Sequence, residues 1–164
     1  MLFRSELFGG EILHSSQYEG GLPYAGKRIL VVGTGNSGGD ICQDLVFRGA
    51  ASVTMLQRSP TTVMSDKLLD IVFSPMFPEE KPFEYTDLSN ASVPVEATRM
   101  LMKELLPFQK DFDKELHQNL EKAGMKVIFG PDNAGLIPMV FDRGGGKLQI
   151  LFLENVISDF FFRL

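Results

Sequence analysis

The chain has 164 residues, of which 44% are hydrophobic and 23% charged, and 16 Lys+Arg against 21 Asp+Glu leave a formal net charge of −5. That balance belongs to one ordinary globular domain or a piece of a larger one, and it disfavours disorder, a collagen-like repeat and a strongly basic nucleic-acid binder. The single cysteine, Cys42, excludes an intrachain disulfide and a thiolate zinc cluster, so a reducing, cytoplasmic setting is expected.

No apolar run reaches the ~18–20 residues that a membrane-spanning helix needs. The nearest, Leu148–Leu164, carries Glu154, Asp159 and Arg163. The opening residues, Met1–Phe8, have neither the apolar stretch nor the cleavage site of a secretory leader, and none is expected.

In chain order, Arg28-Ile-Leu-Val-Val32 reads as a strand, followed by a glycine cluster and a helical segment to Arg48. Within that segment Ile41, Cys42, Leu45 and Val46 form one apolar stripe suited to a sheet, and Gly49 fits the position just past a helix end. Ser52–Gln57 reads as a second strand, and so short a crossover makes the two strands parallel neighbours. From Asp66 to Pro94, Pro75, Pro78, Pro82 and Pro94 predict short helical turns and loop. Leu101, Leu105, Phe108, Phe112, Leu116 and Leu120 then recur at helical spacing, with Pro107 expected to kink or split the helix and Gly124 to end it. Met125–Phe129 reads as a short strand, Gly130–Gly135 as a turn, and Arg143-Gly-Gly-Gly146 as a flexible connection or a close backbone approach.

The most informative residues are Gly33-Thr34-Gly35-Asn36-Ser37-Gly38, a G-x-G-x-x-G that leaves a strand and opens a helix. Each glycine has a job there: Gly33 for the tight turn, Gly35 for approach of a pyrophosphate, Gly38 for close helix–strand packing. Free N–H groups and the positive end of the helix dipole then favour phosphate. At the end of the second strand, Gln57-Arg58-Ser59 offers no carboxylate for a ribose 2′-hydroxyl, whereas Arg58 supplies a charged fork suited to a 2′-phosphate. NADP(H) is therefore expected over NAD. Local charge agrees, since Lys27, Arg28, Arg48 and Arg58 outnumber Asp40 and Asp44 between Tyr24 and Pro60.

Phe8-Gly-Gly10-Glu-Ile-Leu-His14-Ser-Ser-Gln-Tyr18 fits F-x-G-x-x-x-H-x-x-x-Y, and it stands just ahead of the glycine loop. With both motifs in that order, the stretch from about Phe3 to Ser65 resembles the flavin-containing monooxygenases, fungal members in particular, and their Baeyer–Villiger relatives. The resemblance implies that Gly33–Gly38 is the family's second, NADPH-binding glycine loop. It implies an activity of the N,N-dimethylaniline monooxygenase type: NADPH reduces FAD, and the reduced flavin captures O₂ and oxygenates a small nitrogen-, sulfur- or ketone-containing substrate. The cofactor carries that chemistry, so no catalytic side chain is assigned to this chain. No second glycine loop is present to hold FAD, which makes the sequence read as the NADPH-binding fragment of a larger enzyme, inactive alone.

The fold expected is an incomplete α/β, Rossmann-like parallel-sheet domain. Residues 1–26 form a linker carrying Phe8, Gly10, His14 and Tyr18, and residues 27–146 form the NADP-binding domain with a Pro-rich, helical insertion at about 66–124. Residues 147–164 form a divergent tail. A short-chain dehydrogenase would need Tyr-x-x-x-Lys, but Tyr18, Tyr24 and Tyr85 are followed four residues later by Leu22, Arg28 and Ser89. A non-catalytic NADP-binding remnant or interaction module is the alternative.

The remaining candidates have plainer readings. His14 is expected to orient a linker, and His117 to lie on a solvated helix face, with no second His near enough for a metal site. Cys42 reads as a small buried hydrophobe whose thiol a helix N-terminus could acidify. Asp111, Asp113, Glu115 and Glu121, interleaved with Lys110, Lys114 and Lys122, read as an exposed helix. The methionines and Phe160–Phe162 read as core or as uncovered apolar surface.

Overall fold

The computed structural model describes residues 7–135 and 138, and the backbone of strands at 148–150 and 160–163. Arg28–Val32 forms β1, Asn36–Phe47 forms α1 and Ser52–Leu56 forms β2. The two strands run parallel in register from Arg28↔Ser52 to Val32↔Leu56, as the short crossover requires. Gly33 leaves β1 at φ +113 and Gly49 leaves α1 at φ +80, both in the left-handed half of the map that a glycine occupies without strain.

The backbone of Phe160–Arg163 (β5) lies parallel to β2, giving the order β1-β2-β5. Thr62–Met64 (β3) pairs in parallel with Leu148–Ile150 (β4) in a second, two-stranded sheet. The chain is thus α/β with small parallel sheets. One core joins them, built from Cys42 and Leu45 of α1, Val53 and Met55 of β2, Val63 of β3, and Leu116, Leu120 and Met125. Ile41 and Val46 pack at its margin, so the apolar stripe of α1 faces the sheet as its spacing predicts.

The region 66–94 is more helical than its prolines predict, because they fall between helices instead of inside them. Asp66–Phe73 forms α2 and Phe83–Ala91 forms α3, separated by a 3-10 turn at Ser74–Met76. Pro82 and Pro94 stand at the caps of α3 and of α4, Val95–Phe112. There the missing N–H costs nothing.

Pro107 does not split α4, which runs through it. The break falls at Asp113, before α5, Lys114–Lys122. Asp113 is buried instead of exposed, because its carboxylate accepts the Ser65 backbone N–H at 2.9 Å and the Ser65 hydroxyl at 2.6 Å. That attachment turns Met102, Gln109 and Asp113 inward and leaves Leu101, Phe108 and Phe112 exposed, although their spacing is helical. His117, one turn further on, is likewise buried and not solvated: Nε2 lies 2.9 Å from the Val63 carbonyl, and the ring meets Phe129 edge-on. Met125–Phe129 forms no strand, only a bridge between Thr61 and Val127. Gly130–Gly135 makes the expected turn, around Pro131–Asn133. Arg143–Gly146 lies outside the described residues.

Candidate nucleotide-binding cleft

At the carboxyl end of β1 and the amino end of α1 lies a cleft of about 370 Å3 lined by Val31, Val32, Gly33, Gly35, Asn36, Ser37, Gly38, Ile41 and Ser15. Gly33 extends the β1–β2 ladder by one bond, its N–H donating to the Leu56 carbonyl at 3.0 Å. Gly35 is the N-cap of α1 and has no side chain to cap it, and no acidic residue occupies the first turn. The first helical bond of that turn is Gly39 N–H to the Gly35 carbonyl at 3.1 Å. The N–H groups of Asn36, Ser37 and Gly38 thus lie ahead of the helical ladder with the dipole's positive end uncompensated, which suits an anion.

Gly38 has a second constraint. A Cβ built there would stand 2.6 Å from the Gly33 carbonyl oxygen, closer than atoms pack. The loop and helix meet at backbone distance only because this residue has no side chain.

Five of the six loop residues line the cleft, and Thr34 does not: its hydroxyl lies 2.7 Å from that of Thr61. Gln57 is buried, with its amide already occupied. Its Oε1 accepts the Lys126 N–H at 2.8 Å, and its Nε2 donates to the Lys126 carbonyl at 3.0 Å and to Thr61 Oγ1 at 3.1 Å. Its side chain therefore holds the fold, and Gln57 is not among the residues that line the cleft. Arg58, two residues beyond β2, is exposed and forms no ion pair with another described residue. Ser59 is half-buried, with its carbonyl 3.4 Å from Thr61 Oγ1.

The four residues of the upstream motif build a strap. The Phe8 ring occupies the space a Cβ at Gly10 would need, 2.6 Å from that position. His14 caps the turn Ser15–Gln17, its Nδ1 accepting the Ser16 N–H at 3.2 Å, while the His14 N–H reaches Gln17 Oε1 at 3.4 Å. Tyr18 donates its hydroxyl to Asp44 Oδ2 on α1 at 2.7 Å, and the Gly21 N–H reaches the same oxygen at 2.7 Å. Burial, then the bond to Asp44, raises the Tyr18 pKa, and the bond from Tyr18 is the main cause holding Asp44 below the usual carboxylate range. Cys42 is the buried hydrophobe expected, but its thiol is not acidified: burial pushes it up to about 12.

Sequence spacing misses Ser15 and Ile41 in the lining, and Asp44, Thr61 and Lys126 in the support. Ile41 was legible as part of the α1 stripe, but no local signal marks Asp44 as the partner of a tyrosine 26 residues away. The lining offers amides, hydroxyls and apolar side chains, and no titratable side chain. Among the described residues no group of three or more His, Cys, Asp or Glu is placed to hold a metal, and no helix is long and apolar enough to cross a membrane.

The strap and the loop that it flanks fall together inside one family model, flavin-binding monooxygenase-like, which matches residues 4–80. Residues 4–80 are thus similar to that family. Similar proteins include the FAD-containing monooxygenase EthA of Mycolicibacterium smegmatis, 48% identical over 65 residues, covering 40% of this chain and 13% of EthA. The probable indole-3-pyruvate monooxygenase YUCCA10 of Arabidopsis thaliana is 44% identical over 66 residues, covering 40% of this chain and 17% of its own length. The probable FAD-binding monooxygenase AlmA of Acinetobacter baylyi is 32% identical over 91 residues, covering 54% of this chain and 18% of AlmA. The chain thus spans less than a fifth of the length of each of these relatives.

Proposed function

We propose that this chain is the NADPH-binding portion of a flavin-dependent monooxygenase, a Rossmann-like unit that holds the hydride donor while FAD accepts the hydride. The observation that carries the reading is the cleft at the end of β1, where the uncapped first turn of α1 and the backbone contact between Gly33 and Gly38 leave room for a diphosphate. Exposed Arg58 is the residue for the 2′-phosphate, because its fork is permanently charged and stands at the end of the second strand. Hydride transfer and oxygenation of a nitrogen-, sulfur- or ketone-containing substrate belong to the whole enzyme, and this chain's share is to bind and orient the nicotinamide dinucleotide. The flavin named in the relatives' descriptions supports that division.

Calorimetric titration of the purified chain with NADPH and with NADH tests the reading. NADPH is expected to bind more tightly, and Arg58→Ala to cost NADPH about 10- to 100-fold, the worth of a charge-assisted hydrogen bond, with little change for NADH. Equal losses for both cofactors remove Arg58 from the 2′-phosphate. No heat with either removes the cleft.

A further inference from the structure

The strap places one residue in the cleft that the glycine loop does not supply. Ser15 is exposed and lines the same cleft as Gly35, Asn36, Ser37 and Gly38. Both of its flanks are fixed. His14 shapes the turn from the N-terminal side. On the C-terminal side, Asp44 Oδ2 takes the Tyr18 hydroxyl and the Gly21 N–H, each at 2.7 Å, while Arg48 Nε lies 3.3 Å from Asp44 Oδ1. Tyr18 also stacks on Tyr24 at 6.1 Å between centroids, and the Gly26 N–H bonds the Gly49 carbonyl at 2.8 Å. At Gly21 a Cβ would stand 3.0 Å from Arg48 Cγ and 3.1 Å from Asp44 Oδ2, so strap and helix touch at backbone range.

We propose that the Ser15 hydroxyl contacts the dinucleotide bound in the cleft, and that Asp44 is the positioning residue that holds it there through Tyr18 and Gly21. This rests on the reading of the cleft as a dinucleotide site. Asp44 reaches no lining residue of the cleft by a hydrogen bond of its own, and acts through the strap. A hydroxyl donates to a phosphate or ribose oxygen without adding charge, which complements the three free N–H groups at the start of α1 in the same cleft.

The test combines NADPH calorimetry on the whole chain with backbone hydrogen exchange. Ser15→Ala is expected to weaken NADPH binding about tenfold with an unchanged thermal midpoint. Asp44→Ala is expected to weaken it by a similar factor and to speed exchange at the Gly21 N–H. Asp44→Asn keeps an acceptor for Tyr18 and Gly21, and restores most of the affinity. In the Ser15→Ala/Asp44→Ala double variant the loss stays near that of one substitution, because both remove one contact. Should Asp44→Ala fail to fold, Tyr18→Phe with Ser15→Ala completes the same cycle. Parent-like binding by Ser15→Ala, or fully additive losses, overturns the proposal and leaves the glycine-loop reading standing. A parent chain that does not bind NADPH overturns both.

Discussion

Gly38→Ala sets two known effects against each other. Alanine is favoured over glycine within a helix by about 1 kcal/mol, so a purely local view makes this substitution in the first turn of α1 stabilising. The new methyl, however, would stand 2.6 Å from the Gly33 carbonyl oxygen and 3.4 Å from the Gly33 carbonyl carbon. Relief requires the loop to retreat by most of an ångström, and the obstacle is backbone, which cannot swing away as a side chain does. Overpacking of that kind costs about 1–3 kcal/mol, so it cancels or exceeds the helical gain. The net expectation is a loss of up to about 2 kcal/mol in urea unfolding at unchanged m, together with weakened NADPH binding as the Gly33 turn shifts. Gly9→Ala, where a Cβ meets nothing within 4 Å, is the control and is expected to be close to neutral. A Gly38→Ala chain more stable than its parent, with nucleotide affinity intact, would refute the steric account.

Other expectations follow from the buried polar groups. Gln57→Ala orphans the Lys126 N–H, while the Lys126 carbonyl keeps the Thr61 N–H at 3.0 Å, and is expected to cost about 1–3 kcal/mol in urea unfolding; a cost under about 0.5 kcal/mol would show that water replaces the amide. The Asp44 carboxyl is held below its unfolded value chiefly by Tyr18, so the unfolded chain binds the proton more readily. Its stabilisation is present above the unfolded pKa and is lost as pH falls through the folded one. Unfolding midpoints measured from neutral to acid pH therefore fall less steeply in Asp44→Asn, and an identical slope would contradict the assignment. The Cys42 thiol, pushed up to about 12 by burial, is expected to resist a disulfide reagent at pH 8 until urea unfolds the chain; rapid labelling of the native protein would contradict its burial.

The β1-α1-β2 unit and its glycine loop were legible in the sequence because everything that specifies them is local. Apolar alternation, a helical stripe and glycines at a turn all act within about 30 residues. The structural roles of Gln57, Asp113 and His117 were not legible, for the opposite reason. Their partners lie 69, 48 and 54 residues away, and a polar residue looks the same in sequence whether water or a distant backbone satisfies it. The exposed Phe108 and Phe112 make the same point for apolar residues. Period fixes which residues share a helix face, and a remote anchor such as Ser65 decides which face turns inward.

In pairing with both main-chain groups of Lys126, the Gln57 carboxamide does the work of a missing strand's peptide unit. It also joins parts that are remote in the chain, since Lys126, Gln57, Thr61 and Thr34 form a line of polar links from the far side of the helical insertion into the turn where β1 ends. The stiffness of that turn is therefore partly borrowed from a segment more than 90 residues downstream. A partner that gripped the chain just after α5 would tug on the glycine loop without ever reaching the cleft.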